Sequence, residues 1–392
     1  MARRDPDQPG RRRVMRTSKA TVVGLAAAFG LGVVLAGQSR INGELGHRWA
    51  DGILAALWSF GSGLGILLVL CALLPGMRTG ARRVAAAITR GGRPAGDQSG
   101  EPASVRRLRW WQCLGGSCGA FVVLMQATTV PALGVAVFTV AVVAGQAASS
   151  LAVDRAGVGP AGKQAITRRR VVGAVLALAA VVLAVSDDLA APSVLVLALL
   201  PALGGVGTAW QQAVNGRVGL AATLPPPRTD DPARFSGAAG AGHDSGTRVA
   251  LAPPSSPREV SGAMGALTAA LVNFSVGTVV LALAALVDVA LRGHPDFWPA
   301  EPVLYLGGLC GVAFISAAAL IVRFTGVLLL SLGSVAGQLG GALLLDAFVP
   351  APGAELNAVT ILGTALTLVA VLIAVSPSDL RVKPKRAIRA EV

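Results

Sequence analysis

Long apolar runs alternate with short polar segments along almost the whole chain, and each run is about long enough to cross the roughly 30 Å of hydrocarbon in a bilayer. Two stretches, 112–153 and 303–345, are too long for one crossing. We divide them near Pro131 and Arg323, where a helix would lose a hydrogen bond or bury a charge. The predicted spans are 20–37, 52–74, 112–130, 132–153, 171–186, 193–210, 262–287, 303–322, 324–345 and 358–376. The pattern predicts an all-α polytopic membrane protein with about ten transmembrane helices.

The second half of the chain repeats the first. The segment Gln38–Gly46 returns as Gln211–Gly219, Leu114–Gly119 returns as Leu306–Gly311, and Val143–Gln146 with Asp154 returns as Val335–Gln338 with Asp346. We therefore predict two five-helix repeats, 20–190 and 191–376, flanked by basic tails 1–19 and 377–392. Units with an odd number of spans insert in opposite orientations, and inverted repeats of this kind are typical of secondary transporters.

The basic residues follow this arrangement. The net charge is +14, and 31 of the 34 Lys and Arg residues fall in segments that lie on one side of the membrane if both termini are cytoplasmic. The loop after the second helix of the first repeat carries eight arginines, whereas its counterpart 288–302 carries only Arg292. Opposite insertion of the two repeats accounts for this bias, so the charge indicates topology and not nucleic-acid binding.

Two polar segments, 77–107 and 221–261, are rich in Gly, Pro, Ser and Arg and contain few large apolar residues. This composition is typical of flexible connections, and we predict that both lie in the cytoplasm. The second segment is an insertion into the second repeat and is predicted to be disordered. It is either a plain linker or a regulatory element.

Matched amide residues are the candidate substrate ligands. An Asn-Gly pair follows the first helix of each repeat, and it can either bind substrate or stop the helix. A glutamine lies one turn before each asparagine on the same face. A further glutamine lies inside the fourth helix of each repeat, either as interhelical glue or in the pathway. The candidates are Gln38, Asn42, Gln146, Gln211, Asn215 and Gln338.

Other matched residues suggest structural roles. Asp154 and Asp346 lie at helix ends, as caps or gate partners, because a proton-relay carboxylate would be nearer mid-membrane. Four glycines have the spacing of close helix contacts. They are Gly115, Gly119, Gly307 and Gly311.

Catalysis, cofactors and metals are not expected. The sequence Gly115–Gly119 spells Gly-x-Ser-x-Gly, but the stretch is predicted to be helical and the three histidines lie in loops. The four cysteines lack metal-ligand spacing, and no phosphate-binding Gly-Lys-Ser/Thr motif is present. The expected partners are the lipid bilayer and a small molecule.

These motifs resemble the YdcZ-like group of the drug/metabolite transporter superfamily. The resemblance rests on Gln-x-x-x-Asn-x-x-Leu/Val-Gly, on Ser59-Phe60 with Gly63 and Asn273-Phe274 with Gly277, on Arg109-Trp110-Trp111, and on Ala-Gly-Gln followed by Asp. In that group one gene usually encodes a single five-helix unit, so two units are fused here. The Trp pair is absent from the second repeat. The resemblance implies a ten-helix inner-membrane transporter, often labelled an exporter, whose substrates are mostly unassigned.

We therefore expect a multi-pass secondary transporter of the inner membrane that exports a small neutral or lipophilic molecule by alternating access. Two alternatives remain at this point. One is a membrane scaffold or assembly protein without transport, and the other, weaker one is a membrane-embedded enzyme. Pairs of matched amides argue against the scaffold, since packing alone does not require them.

Overall fold

The computed structural model describes residues 9–89, 108–184, 199–224, 260–293 and 297–348, together with a few positions between 361 and 373. Eight α-helices lie between residues 9 and 348 of this part of the chain, and the described residues contain no strand, which confirms the all-α class. They are α1 Pro9–Trp49, α2 Gly52–Leu73, α3 Pro75–Thr89, α4 Gly115–Ala156, α5 Arg168–Ala184, α6 Leu199–Thr223, α7 Gly262–Arg292 and α8 Gly307–Phe348. Short 3-10 turns, Trp110–Cys113 and Pro302–Tyr305, precede α4 and α8.

Four of the described helical segments are long and apolar enough to cross a membrane, which agrees with a polytopic membrane protein. They are Val22–Trp49, Gly52–Leu73, Gly262–Arg292 and Gly307–Gly341. Most of the predicted last span, 358–376, lies outside the described residues. The total of ten helices therefore stays a prediction.

Helix α8 reverses direction in its middle. Its 42 residues would extend about 63 Å as a straight helix, roughly twice the hydrocarbon thickness. Gly326 interrupts it with φ 75° and ψ 175°, a backbone conformation that residues with a side chain rarely adopt. The two halves pack on α1 in opposite directions. Before the break the contacts run antiparallel, with Gly311 against Gln38 and Thr325 against Gly24. After the break they run parallel, with Gly333 against Leu25 and Gly341 against Val33. The reversal lies three residues from the division that the sequence predicts at Arg323.

Helix α4 packs on α6 in the same way. Before its midpoint the contacts run antiparallel, with Gly119 against Gln211 and Val122 against Gly204. After the midpoint they run parallel, with Gly145 against Ala202 and Ser149 against Val206. The direction therefore changes between residues 122 and 145, the interval that contains Pro131. The two 42-residue helices are equivalent in this respect.

The two repeats exchange their closest helix partners. Helix α1 of the first repeat crosses α8 of the second, where Gly32 lies against the backbone of Ser334. Helix α6 of the second repeat crosses α4 of the first, where the equivalent Gly205 lies against the backbone of Val142. A Cβ atom at either glycine would collide with a carbonyl oxygen. The two repeats therefore share one interior along these crossings.

The expectation of a flexible connection over 77–107 is wrong for its first part, because residues 75–89 form α3. Met77, Gly80, Arg83 and Val84 are buried, at the spacing of one helix face, and pack on α6 and α7. The Arg83 guanidinium donates a hydrogen bond to the Thr223 carbonyl at 2.7 Å. Composition misled the prediction because this face has only two large apolar residues, Met77 and Val84, in a segment otherwise rich in Gly, Ala and Arg. Residues 90–107, and 225–259 of the predicted insertion, lie outside the described part.

Candidate functional site

One amide cluster joins the first two helices of the first repeat to the second repeat. Asn42 of α1 donates a hydrogen bond from Nδ2 to Ser59 Oγ of α2 at 3.2 Å. The Asn42 amide occupies the place that a Cβ atom would take at Gly307 of α8. Because Gly307 lacks a side chain, the amide can lie directly against the helix backbone. We call Asn42, Ser59 and Gly307 the first amide cluster.

A second cluster occupies the equivalent positions of the other repeat. Asn273 of α7 donates from Nδ2 to Asn215 Oδ1 of α6 at 3.2 Å, and both side chains are buried. A Cβ atom at Gly115 of α4 would lie 2.7 Å from Asn215 Oδ1. Asn215, Asn273 and Gly115 form the second amide cluster. The two clusters match residue for residue, except that Asn273 stands where the first has Ser59.

The Asn-Gly pairs do not stop their helices. Helix α1 continues past Asn42 to Trp49, and α6 continues past Asn215 to Thr223, so the interpretation as a helix stop is wrong. Gly216 serves close packing instead, because a Cβ atom there would collide with Val322 and approach Pro160. Tertiary contacts outweigh the local tendency of Asn-Gly to end a helix.

The predicted packing glycines lie against amide side chains. A Cβ atom at Gly311 would lie 2.9 Å from Gln38 Nε2, and one at Gly119 would lie 3.1 Å from Gln211 Nε2. Gly307 and Gly115 lie against Asn42 and Asn215 in the same way, so each of the four glycines faces a different amide side chain. The structure thus brings Gln38, Asn42, Gln211 and Asn215 together with all four glycines in two equivalent sets.

Several buried polar atoms around these clusters have no hydrogen-bond partner in the described part of the chain. They include the acceptors Asn42 Oδ1 and Asn273 Oδ1 and the donor Gln212 Nε2. Gln212 is 3% exposed, and its Oε1 accepts a hydrogen bond from Ser331 Oγ at 2.9 Å. An unsatisfied buried group costs roughly 1–3 kcal/mol, so a ligand or water that reached one of these atoms would gain a hydrogen bond.

Sequence reasoning missed Gln212 and its partner Ser331. Gln212 follows the matched Gln211 directly, but its equivalent in the first repeat is Ser39, so the comparison of repeats gave no amide pair at this position. Asn273 appeared only as part of the motif before Phe274. Its role becomes visible only when α7 packs on α6 and places it against Asn215.

Gln146 and Gln338 lie apart from the amide clusters. Gln146 lies in the C-terminal half of α4, where its backbone nitrogen is next to Gly205. Gln338 lies in the C-terminal half of α8, where its backbone nitrogen is next to Gly32. Gln146 is buried and Gln338 is half-buried. No hydrogen bond among the described residues joins either side chain to the two clusters.

Asp154 caps a helix of the other repeat. Its Oδ1 accepts a hydrogen bond from the Val327 N–H at 2.8 Å and its Oδ2 one from the Leu328 N–H at 3.3 Å, at the start of the trailing half of α8. Arg170 lies 3.4 Å from Oδ2. Asp154 follows the predicted span 132–153, and burial raises the pKa of its carboxyl, although the two N–H donors and Arg170 act in the opposite direction. The Asp346 side chain lies outside the described part.

An aromatic cluster lies where α1 ends and α2 begins. Trp49, Trp58, Trp298 and Tyr305 contact one another in all six pairs, with ring centroids 5.1 to 6.4 Å apart. Beside it Arg48 Nη1 lies 2.6 Å from Glu301 Oε2, a hydrogen bond that lowers the pKa of Glu301. The cluster joins the end of α1 and the start of α2 to the second repeat. We call it the aromatic closure.

The described residues contain no group of three His, Cys, Asp or Glu side chains that could hold a metal ion. All four cysteines are free. The clusters around the long helices are therefore built from amides, hydroxyls and aromatic rings.

A family model described as "Putative inner membrane exporter, YdcZ" matches residues 23–183 and 258–373, one region in each repeat. The chain belongs to this family. Membership places it among multi-pass membrane proteins of the exporter type.

Two other comparisons add little. One solved structure, titled only "Crystal structure of protein", is 18% identical, with a TM-score of 0.49 over 91% of this chain and 96% of that chain. A likeness at this level identifies no function. No match was found among curated proteins.

Proposed function

We propose that this YdcZ-family protein is a secondary transporter that exports a small neutral or lipophilic molecule across the inner membrane by alternating access. The observation that supports it best is the pair of equivalent amide clusters, each formed where helices of both repeats meet. Inverted repeats that form two equivalent half-sites are the usual basis of alternating access. The charge distribution supports cytoplasmic N- and C-termini.

The free hydrogen-bonding atoms suggest the chemistry of the substrate. Asn42 Oδ1 and Asn273 Oδ1 can accept hydrogen bonds, and Gln212 Nε2 can donate one. A molecule with hydroxyl or N–H donors and at least one carbonyl-like acceptor would satisfy them. The residues of the two clusters carry no charge, so an ionic substrate would leave water without compensation, which is costly in an apolar interior.

Transport can be tested before the substrate is identified. Cells that lack the gene are compared with complemented cells by metabolite profiling of medium and cytosol. We expect at least one neutral compound to accumulate inside the deletion strain and to appear in the medium on complementation. The control is that the complemented strain contains folded protein in its membrane. If its metabolite profile is then the same as that of the deletion strain, the result favours a scaffold without transport.

The paired glutamines give a more specific test. We propose that Gln146→Leu and Gln338→Leu abolish export while the protein still inserts and purifies like the wild type, because even a side-chain hydrogen bond between helices stabilises a membrane protein by only about 1 kcal/mol. Gln164, which lies in the loop after α4 and donates to the Ala161 carbonyl, supplies a matched control as Gln164→Leu. Aggregation of both variants with normal export by the folded remainder would show that the glutamines only join helices.

A further inference from the structure

Two phenylalanines meet between the repeats near the middle of the molecule. Phe60 lies near the centre of α2 and Phe274 near the centre of α7, with their ring centroids 5.0 Å apart. The pair comes from equivalent positions of the two repeats. The rings therefore lie where the pseudo-twofold axis passes between α2 and α7.

Each ring lies in a notch that a glycine leaves in the opposite repeat. A Cβ atom at Gly277 would collide with the Phe60 ring, and one at Gly63 would collide with the Phe274 ring. Further glycines widen both notches. A Cβ atom at Gly119 would lie 3.3 Å from Phe60 Cζ, and one at Gly311 would lie 2.9 Å from Phe274 Cζ. The arrangement is reciprocal.

The ring pair separates the two amide clusters. On α4, Gly119 contacts Phe60, and Gly115 of the second amide cluster lies one helical turn away. On α8, Gly311 contacts Phe274, and Gly307 of the first amide cluster lies one turn away. Since α4 and α8 belong to oppositely oriented repeats, these turns lead toward opposite faces of the membrane. The two rings therefore lie between the two amide clusters.

We propose that Phe60 and Phe274 form the central barrier of the transport path, and that substrate crosses when the rings leave their glycine notches. This rests on the proposed transport function and adds a specific pair of residues to it. Aromatic rings suit the role because they have only two side-chain torsions and exclude water over a large apolar area. The notches also explain why small residues occur at four equivalent positions around the pair.

The experiment measures access to each cluster from each side. The four native cysteines are replaced by alanine, and a single cysteine is introduced as Asn42→Cys or Asn215→Cys. A membrane-impermeant methanethiosulfonate is added to spheroplasts or to inside-out vesicles. With the barrier intact, we expect the cysteine at 42 to react only from the outside and the one at 215 only from the inside.

The same labelling is then repeated with Phe60→Ala and Phe274→Ala together. We expect outside reagent to modify the cysteine at 215 about tenfold faster or more, as a barrier lowered by roughly 1.4 kcal/mol would give. Phe60→Leu with Phe274→Leu keeps apolar bulk and is expected to stay protected. If the double alanine variant does not fold, Phe60→Ala alone is used with the same criterion. Gly65→Ala, on the same helix with nothing within 4 Å, is the control for a neutral change.

Two outcomes would overturn the proposal. One is a folded alanine variant in which the cysteine at 215 stays as protected from outside reagent as in the parent. The other is a cysteine at 42 that outside reagent never reaches, because the first amide cluster would then not belong to the outer half of a path. Both labelling readouts are independent of export. A positive labelling result together with an unchanged metabolite profile would therefore reject the proposed function and still support a barrier formed by the two rings.

Discussion

Asp154 links two parts of the chain that lie 173 residues apart in the sequence. The sequence predicts that Asp154 lies at the end of its own helix. In the structure its carboxylate accepts hydrogen bonds from N–H groups of α8, a helix of the other repeat. Only the break at Gly326 exposes the Val327 and Leu328 N–H groups that need an acceptor. Its role as a gate partner stays a proposal.

Removal of this carboxylate should destabilise the protein. Asp154→Ala leaves two buried N–H groups without an acceptor, and we expect a loss of about 1–3 kcal/mol in the free energy of unfolding. Asp154→Asn keeps one acceptor oxygen and avoids burying a charge, so its loss should be smaller. Thermal unfolding in detergent measures both. Equal stability of the alanine variant and the wild type would mean that water satisfies the Val327 and Leu328 N–H groups.

Helices, and not individual residues, account for most of what the sequence predicted correctly. Continuous apolar runs of about 20 residues indicate helices because a helix satisfies its backbone hydrogen bonds within the segment, and the repeat motifs fix which helices correspond. The sequence did not predict α3, because its buried face has only two large apolar residues, Met77 and Val84, beside a glycine and an arginine. It also could not show that the long helices pack on the other repeat, since this depends on contacts between residues far apart in the chain.

The glycine crossings should tolerate no side chain. Gly32→Ala places a methyl group against the Ser334 carbonyl, and the overpacking should cost about 1–3 kcal/mol. Gly30 lies two residues away on the same helix and has nothing within 4 Å, so Gly30→Ala should be neutral or stabilise by up to about 1 kcal/mol. Thermal unfolding of the two variants in parallel gives the comparison. A Gly32→Ala protein as stable as Gly30→Ala would contradict the close crossing of α1 and α8.

Helix α3 should depend on its buried arginine. Arg83→Ala removes a charged hydrogen bond to the Thr223 carbonyl, which contributes about 1.5–3 kcal/mol, and we expect α3 to detach from α6. Arg82 is exposed on the same helix, and Arg82→Ala is the matched control. Hydrogen exchange followed by mass spectrometry should show faster exchange over 75–89 only in the Arg83 variant. Equal exchange in both variants would show that apolar contacts alone hold α3.

In the described part of the chain, contacts between the repeats lie at both ends of the packed helices. At one end lie the Asp154 cap and the bond from Arg217 Nε to the Val158 carbonyl at 2.6 Å, and at the other lies the aromatic closure with Arg48 and Glu301. Alternating access requires that each set opens while the other stays closed. The two ends differ chemically, although the repeats are equivalent in sequence, because the tryptophans and arginines near them are not matched.

The predicted topology is tested by labelling from each side. Single cysteines introduced as Ala95→Cys, Gly240→Cys and Pro295→Cys should be reached by impermeant reagent from the inside, the inside and the outside of the cell, respectively. The expectation follows from the 31-to-3 division of basic residues. Labelling of positions 240 and 295 from the same side would reject the arrangement of ten helices.

The exchange of helix partners predicts how the chain behaves when it is cut between the repeats. Residues 1–190 expressed alone would expose the glycine-lined faces of α1 and α4, which in the whole chain are covered by α8 and α6. We therefore expect either half alone to be degraded or aggregated, and the halves 1–190 and 191–392 to copurify when they are expressed together. An affinity tag on one half and detection of the other measure this, with Gly32→Ala and Gly205→Ala weakening the recovery and Gly30→Ala leaving it unchanged. Stable, monomeric halves that do not copurify would show that each repeat folds on its own, against the close crossings of α1 with α8 and of α4 with α6.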